Sequence, residues 1–331
     1  MAVFPKQCGC NIMGIYCKDK RLGRKNMKKQ TIIYAVVLFV VLIMIGVAEL
    51  LNEKEIIFPE ITAIAVGAFM APKFAWKTNR IRILIFIMIC AFAGVGIVLF
   101  VPGPVWMRLT LAYGIAEVIY LLSGTSFAPM ISAIALPVLL GTESPVYLIS
   151  AFCLTTIILV LHVVLEKSEI KDRVSFAPVK AEKQDWFDAA IRLGLVLVIS
   201  LAAINLGWRF AVAPPLLVAF TEFSKRTSGA RKMPLKVVAA ITLCAFAGAL
   251  CRYIIVIKFN LPLTLAAAIA TVGMILILNG LKAFVPPAGA LCILPMLIPE
   301  AAVINYPVQI FVGASLFMIL SLTVFKDKKA I

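Results

Sequence analysis

The chain has 331 residues, of which 63% are hydrophobic and only 15% are charged. Soluble domains usually carry about 25% charged residues, so this composition excludes an ordinary globular protein. A bilayer core offers no water to backbone groups, and apolar runs such as 32–51 have helix length rather than strand length. We therefore predict an all-α fold, a polytopic membrane helical bundle. The net charge of +16 does not indicate nucleic-acid binding, because Lys and Arg form short clusters between apolar runs, without a basic globular domain.

The first 29 residues are a basic leader that we place on the cytoplasmic side of the membrane. Cys8, Cys10 and Cys17 lie in it, but no histidine or fourth thiol is near them, which disfavours a metal site. Met27 is an alternative start of translation, because two lysines and then the first apolar run follow it directly. No small-residue cleavage site follows that run convincingly, so we expect the first helix to be retained.

Twelve apolar segments follow in chain order, six on each side of a polar stretch at 167–185. This stretch carries charges of both signs and Pro178, and we interpret it as a cytoplasmic linker. It separates a first membrane repeat, 30–166, from a second, 186–326, and a short tail occupies 327–331. The segments are predicted at 31–51, 57–72, 81–101, 107–122, 127–141 and 145–165, and then at 187–207, 210–223, 236–257, 261–281, 283–299 and 305–325.

The two halves repeat each other in sequence. A shift of 154 positions, from 90 to 244, aligns the pentapeptide Cys-Ala-Phe-Ala-Gly with an identical copy, and the same shift aligns Leu-Thr-Leu-Ala at 109–112 with 263–266. After a four-residue insertion, Leu136-Pro137 meets Leu294-Pro295. We interpret the chain as a tandem duplication. Six segments per copy make the copies parallel, and the two groups of three within each copy would be inverted.

The distribution of charge predicts which side each loop faces, because cytoplasmic loops collect Lys and Arg. With the N-terminus inside, the inward stretches hold most of the basic residues, in the leader, the linker, the loops and the tail. The outward stretches hold few basic residues and five acidic ones. This asymmetry predicts that both termini are inside; the five acidic residues are Glu53, Glu55, Glu60, Glu143 and Glu300.

The second and fifth segments of each copy are short, and each opens with proline. About 15 helical residues reach only about 22 Å, less than a hydrocarbon core of about 30 Å, so we expect these helices to begin inside the membrane. A helix start carries unpaired amides and a partial positive charge that attract anions, and proline is tolerated there. Close packing and kinking explain the same residues equally well. The predicted substrate-binding residues are Pro59, Pro129, Pro214, Pro215, Pro286, Pro287, Ala288, Gly289 and Ala290, with Ser126 and Asn279 near the entries.

The stretch "FVPPAGALCILPML" at 284–297, with "VAPPLLVAFTEFSKR" upstream, resembles the HPP family of integral membrane proteins. The naming motif of that family is His-Pro-Pro followed by Ala-Gly-Ala. The resemblance covers most of 187–325 and, through the duplication, 31–165 more weakly. Val285 occupies the histidine position here, so the role of the histidine does not carry over.

Plastid members of the HPP family are associated with nitrite transport, so the resemblance implies a transporter of a small anion. The short apolar spans followed by basic residues also resemble aromatic-acid exporter and fusaric-acid resistance membrane domains. That second resemblance keeps the export of organic acids open.

Three ionisable residues lie within or at the end of apolar segments. Glu117 is in mid-segment, where it either carries a coupling proton or packs as a neutral, hydrogen-bonded group; its counterpart in the second copy is Thr271. Arg252 is expected to snorkel to the outer interface, and the alternative is that it opposes a substrate anion or Glu117. His162, the one histidine of the chain, is predicted to be interfacial rather than catalytic, because no triad or metal partner accompanies it.

The sequence thus favours a multi-pass protein of the cell membrane, in a bacterial case the inner membrane, that transports a small, nitrite-like anion. An exporter of aromatic or other organic acids and a membrane scaffold that transports nothing are the alternatives. No Walker loop, Rossmann fingerprint or zinc signature is present, so we expect no enzyme activity, no cofactor and no metal. The expected partners are the lipid bilayer and the anion, with no nucleic acid, and homo-oligomers remain open.

Overall fold

The computed structural model describes residues 12–173 and 176–326, with side chains from Met27 onward. Throughout these residues the regular structure is helical. The first half contains α1 (Ile12–Leu50), α2 (Glu60–Ala65), α3 (Arg80–Phe100), α4 (Val105–Leu122), α5 (Met130–Leu140) and α6 (Pro145–Lys167). The second half contains α7 (Lys183–Asn205), α8 (Pro214–Ser224), α9 (Pro234–Cys251), α10 (Leu263–Leu281), α11 (Pro286–Ile293), α12 (Glu300–Val303) and α13 (Tyr306–Val324).

Several helices continue in a different helical form, and short 3₁₀ turns connect others. The α2 helix continues as a π-helix over Val66–Met70, α9 continues as a π-helix over Arg252–Lys258, and α11 ends in a 3₁₀ turn at Leu294–Met296. Further 3₁₀ turns occur at Lys54–Ile56, Arg209–Val212 and Gly229–Lys232.

Eight helices in the described part of the chain are long and apolar enough to cross a membrane. They are α1 from Met27 onward, α3, α4, α6, α7, α9 with its π-helical extension, α10 and α13. Each leaves large apolar side chains exposed, for example Phe92 on α3 and Leu276 on α10, as expected for surfaces that contact lipid tails. The chain is therefore an integral membrane protein with several membrane-spanning helices.

Local sequence signals explain where several of these helices begin and end. The side chain of Asn79 accepts a hydrogen bond from the amide of Arg82 at 2.8 Å and so caps α3, and Ser144 caps α6 through the amide of Val146 at 3.1 Å. These caps supply partners to amides that lack one inside the helix. The α5 helix ends at Gly141, whose left-handed conformation (φ 75°) is inexpensive for glycine.

The short helices α2, α5, α8 and α11 form the interior of the bundle. Each begins at a proline or directly after one, and nearly all of their side chains are buried. They also contact one another: α2 packs against α11 and α5 packs against α8 across the two halves, and α8 packs against α11 within the second half. The long helices surround this group and carry the exposed apolar faces.

Matching contacts occur in the two halves. A Cβ atom added to Gly94 on α3 would overlap the carbonyl oxygen of Ile134 on α5, and one added to Gly248 on α9 would overlap the carbonyl oxygen of Cys292 on α11. These two glycines end the repeated pentapeptide. The pentapeptide therefore lies where a long helix approaches the backbone of a short helix most closely.

Two tyrosines make a second matching pair of contacts. The hydroxyl of Tyr147 donates to the carbonyl of Ala133, and the hydroxyl of Tyr306 donates to that of Leu291, each at 2.8 Å. The ring of Tyr147 lies 5.6 Å from that of Phe58, and the ring of Tyr306 lies 5.7 Å from that of Phe210, centroid to centroid. In each half, one tyrosine thus connects a long helix to the interior.

Two residues differ from expectation. Glu60 was expected in an outward stretch, but it is the first residue of α2 and only 1% exposed. Pro299, expected from the sequence to end the helix that begins at Pro286, instead precedes a further short helix, α12, because α11 has already ended in its 3₁₀ turn.

Candidate functional site

A cavity of about 720 Å³ opens at the linker end of the bundle, and we call it the linker cavity. Its walls come from both halves: the non-helical segment after α2, the end of α4, the loop before α5, the start of α7, the end of α8 and the start of α11. Val179 and Ala181 of the linker also line it, and the amide of Val179 donates to the carbonyl of Gly124 at 2.8 Å. The linker is thereby fixed beside the mouth of the cavity.

Basic side chains outnumber acidic ones in this wall, which contains Lys77, Arg192, Lys225, Arg226 and Lys282 against Asp185, Asp188 and Glu222.

Several of these charges are already occupied. Arg226 makes an ion pair with Asp188 at 2.5 Å, and the ammonium group of Lys225 contacts the hydroxyl and the ring of Tyr120. Within the described residues, the side chains of Lys77 and Lys282 have neither an ion pair nor a hydrogen bond, and both are exposed. Their ammonium groups are therefore not committed to another described protein group.

The wall also has an aromatic component formed by Trp76, Tyr120, Phe223 and Phe284. The indole of Trp76 is buried, donates from Nε1 to a carboxylate oxygen of Glu222 at 2.9 Å, and packs edge-on against Phe127 at 5.1 Å. A Cβ atom on Gly67 would overlap the same ring, so Trp76 fills the space between the π-helical end of α2 and α8. Trp76 closes the cavity toward the interior of the bundle.

Only two of the predicted substrate-binding residues line this cavity, Pro286 and Ser126. The hydroxyl oxygen of Ser126 accepts from the amide of Lys77 at 2.7 Å, and the amide of Ser126 donates to the carbonyl of Lys77 at 3.1 Å. Asn279 lies elsewhere: its side-chain oxygen accepts from the hydroxyl of Tyr34 at 2.7 Å, and its side-chain nitrogen donates to the carbonyl of Ile275 at 2.6 Å. The other predicted residues, Pro59, Pro129, Pro214, Pro215, Pro287, Ala288, Gly289 and Ala290, are not part of the cavity wall.

The expected unpaired amides are largely missing from the short helices. In α8 the first two positions are prolines without an N–H, and the amides of Leu216 and Leu217 both donate to the carbonyl of Ala213, at 2.8 and 3.3 Å. The prediction of bare amides is therefore wrong for α8. Proline removes two donors, and a tight first turn uses the next two.

The other three short helices use their first amides in a similar way. In α2 the amides of Ile61 and Thr62 donate back to Phe58 and Pro59, and in α11 the amide of Ala288 donates to Val285 at 3.0 Å. In α5 the amides of residues 131 and 132 donate back to residues 128 and 129.

The small residues after Pro287 serve helix packing. A Cβ atom on Gly289 would lie 2.9 Å from the carbonyl oxygen of Thr62 and 3.0 Å from a methyl group of Val66, so α11 lies directly on α2 at this point. This contact supports the packing interpretation of the Ala-Gly-Ala stretch over solute contact.

Glu117 forms a buried ion pair with Arg192 of α7. Its two carboxylate oxygens accept from Nε and Nη2 of Arg192 at 3.0 and 2.6 Å, and one of them also accepts from the hydroxyl of Thr221 at 2.8 Å. That hydroxyl is 2.8 Å from the hydroxyl of Tyr113, and Nη1 of Arg192 donates to Ser224 at 3.1 Å. Glu117 is 3% exposed, so this network connects α4 of the first half to α7 and α8 of the second.

Arg252 is buried and makes no contact with Glu117, so the expectation that it snorkels to the outer interface is wrong. It is 2% exposed, and its Nη1 donates to the carbonyls of Pro295 and Ile298, the latter at 2.6 Å. Its charge thus satisfies carbonyls left unpaired where α11 ends.

His162 is buried between the rings of Phe69 and Phe74, and its Nδ1 is 3.4 Å from a carboxylate oxygen of Glu166. The described residues contain no group of three or more His, Cys, Asp or Glu side chains that could hold a metal ion. Cys8 and Cys10 lie outside the described residues, as does the side chain of Cys17.

No family model matches the chain, no curated protein matches its sequence, and no solved structure matches its fold.

Sequence reasoning missed Arg192, Trp76, Lys77 and Lys282 as functional candidates. Arg192 had a usable signal, because a basic residue early in an apolar helix calls for a buried partner. The three others stand in short connecting stretches, where their proximity depends on contacts between the halves.

Proposed function

We propose that this protein is a secondary transporter of organic anions that bind in the linker cavity. The observation that carries the proposal is the combination of two unpaired lysines, Lys77 and Lys282, with four aromatic side chains in one cavity. The ammonium groups would attract a carboxylate, and the aromatic rings would contact the apolar part of the molecule.

The size of the cavity favours an organic acid over nitrite. Binding pockets for organic ligands have volumes of about 300–1,000 Å³, and the linker cavity, at about 720 Å³, falls within that range. A three-atom anion would fill a small part of it and would leave the aromatic rings without a role. The nitrite-like substrate follows from the HPP resemblance alone and is the second candidate.

The proposal includes a topology. Basic residues collect at the end of the bundle that holds the linker cavity, so we assign that end to the cytoplasm. Gly94 in the first half and Gly248 in the second make equivalent contacts, as do Tyr147 and Tyr306. These equivalences support two parallel copies of one six-segment unit. In this arrangement the cavity opens toward the cytoplasm and lies between the copies, as is common for transporters built from repeats.

Transport by purified protein in proteoliposomes tests the proposal. Initial rates of uptake of radiolabelled benzoate and of nitrite are measured side by side, with and without a pH gradient, and the rates in protein-free liposomes are subtracted. We expect saturable benzoate uptake that unlabelled aromatic acids inhibit. Nitrite uptake without benzoate uptake would move the assignment to a small-anion transporter. The absence of both activities would support the scaffold alternative.

Replacing the two unpaired lysines is expected to weaken substrate binding. Two unit charges about 4 Å apart in water attract by about 1 kcal/mol, so the apparent KM for benzoate should rise about fivefold in Lys77→Gln or Lys282→Gln. The rise should shrink at high ionic strength, because salt screens exposed charges. The control is Lys258→Gln at the end of the π-helical continuation of α9, and an equal rise in that variant would contradict the assignment.

A further inference from the structure

The interior of the bundle contains two buried glutamates in opposite electrostatic situations. The carboxylate of Glu117 has Arg192 as a bidentate partner. The carboxyl group of Glu60, only 1% exposed, has no ion pair: its Oε1 accepts from the hydroxyl of Ser132, and its Oε2 has no partner. Of these two, Glu60 alone can change its charge without breaking an ion pair.

Among the side chains that the structure describes, no cation near Glu60 offsets a negative charge. Lys54, on the 3₁₀ turn before α2, makes no ion pair with Glu60. The titratable group that faces Glu60 from α6 is Tyr147, whose hydroxyl donates to the carbonyl of Ala133. On α3, Cys90 is a buried free thiol that faces Tyr147. The face of α1 toward the interior is apolar, and on α11 the thiol of Cys292 donates to Ala270 of α10.

An unpaired carboxylate is expensive in a medium of low polarity, so the neutral, protonated form of Glu60 is favoured in this conformation. The position of Glu60 also lowers the cost of losing that proton, since it is the first residue of α2 and the N-terminal end of a helix stabilises negative charge. Both forms are therefore accessible when water reaches the side chain.

The helix that carries Glu60 also touches the wall of the linker cavity. Gly67, on the π-helical continuation of α2, lies directly against the indole ring of Trp76, which closes that cavity toward the interior. The α2 helix also packs on α11, whose first residue, Pro286, lines the cavity. A change of charge at Glu60 that shifts α2 would move both contacts.

We propose that Glu60, and not Glu117, binds the proton that is coupled to anion transport. Its Oε2 takes a proton from water on one side of the membrane, forming an O–H bond, and returns it to water on the other side, so that no other reactant is required. This assignment deepens the proposed function and rests on it.

The first test compares two modes of benzenesulfonate transport in proteoliposomes. This aromatic anion replaces benzoate because neutral benzoic acid crosses lipid unaided and would accumulate with a pH difference even without a transporter. A pH difference of one unit supports about tenfold accumulation when one proton moves with each singly charged anion, because one unit corresponds to 1.36 kcal/mol. Wild-type protein should reach that value. Glu60→Gln should lose the accumulation and still exchange labelled for unlabelled benzenesulfonate, a mode that needs no net proton movement. Glu143→Gln, at an exposed loop position, is the control and should behave as wild type.

Gradient-driven accumulation that persists in Glu60→Gln would overturn the assignment, as would accumulation driven by Na⁺ and indifferent to pH.

A second measurement does not require transport. Infrared difference spectra of the detergent-solubilised protein between neutral and alkaline pH, a range in which exposed carboxyl groups are already ionised, should contain the C=O stretch of a protonated carboxyl group. The band should be lost in Glu60→Gln and kept in Glu143→Gln. If wild-type protein transports no anion, the band still tests the proton site, and an unchanged band in Glu60→Gln would refute it. The failure of the transport proposal and the failure of the proton site are thereby separable.

Discussion

Gly248→Ala is expected to destabilise the protein by about 3 kcal/mol or more, since overpacking against a group that cannot move exceeds the usual 1–3 kcal/mol. The new Cβ atom would overlap the carbonyl oxygen of Cys292 on α11. That oxygen belongs to a helix backbone and has no rotamer in which to avoid the methyl group. The α9 helix must then move away from α11, and the buried surface between them is lost.

The measurement is the midpoint of thermal unfolding in detergent, followed by size-exclusion chromatography. Gly94→Ala should also lower the midpoint of thermal unfolding, because the new Cβ atom would overlap the carbonyl oxygen of Ile134. Gly96→Ala is the matched control on the same helix as Gly94: nothing lies within 4 Å of its Cβ position, and alanine is favoured over glycine in a helix by about 0.5–1 kcal/mol. Equal stability of the Gly248 and Gly96 variants would contradict the packing described here.

Arg192→Met is expected to destabilise the protein by about 3–5 kcal/mol, the usual cost of removing one partner of a buried ion pair. The substitution keeps the apolar stem and leaves Glu117 with hydrogen bonds but no positive charge. Unfolding in detergent and the yield of monodisperse protein are the measurements. Arg192→Lys should give an intermediate result, because an ammonium group cannot reproduce the two parallel bonds to Glu117.

The double variant Arg192→Met with Glu117→Met separates the loss of the pair from the loss of packing. Replacing both partners of a buried pair by apolar residues is often nearly neutral, so the double variant should recover most of the stability. If it is as unstable as Arg192→Met alone, the cost lies in lost packing around α7 and not in an uncompensated carboxylate.

The membrane-spanning helices could be predicted closely from the sequence. The length of each apolar run was enough to locate them, because a membrane-spanning segment must form its backbone hydrogen bonds within its own helix. The segment predicted at 81–101 corresponds to α3 at Arg80–Phe100, and that predicted at 305–325 corresponds to α13 at Tyr306–Val324. The starts of α8 and α11 could be predicted as well, because proline fixes the first helical turn.

The partners of the buried charges could not be predicted. Glu117 and Arg192 are 75 positions apart, and no periodicity connects them, because their contact depends on how α4 of one half packs against α7 of the other. Arg252 was expected at the outer interface because it lies late in an apolar segment. It is instead the neighbour of the carbonyls at the end of α11, which a linear pattern does not reveal.

The chemistry of the short helices was misjudged for a local reason. A helix start was equated with free donors, but the residue pairs Pro214-Pro215 and Pro286-Pro287 remove two donors each. The amides that follow bond backward within a tight turn. The double proline itself predicts this outcome, because a helix that begins with two prolines has few backbone N–H groups at its N-terminus.

The contacts among the short helices have a consequence for how the chain matures. While the ribosome is still making the second half, α2 and α5 have already entered the bilayer, but the surfaces that α11 and α8 will cover have no neighbours yet. The surface of α5 stays uncovered until more than 70 further residues have been added, and that of α2 until more than 200 have been added. The N-terminal half on its own therefore exposes surfaces of α2 and α5 that the second half covers in the full chain.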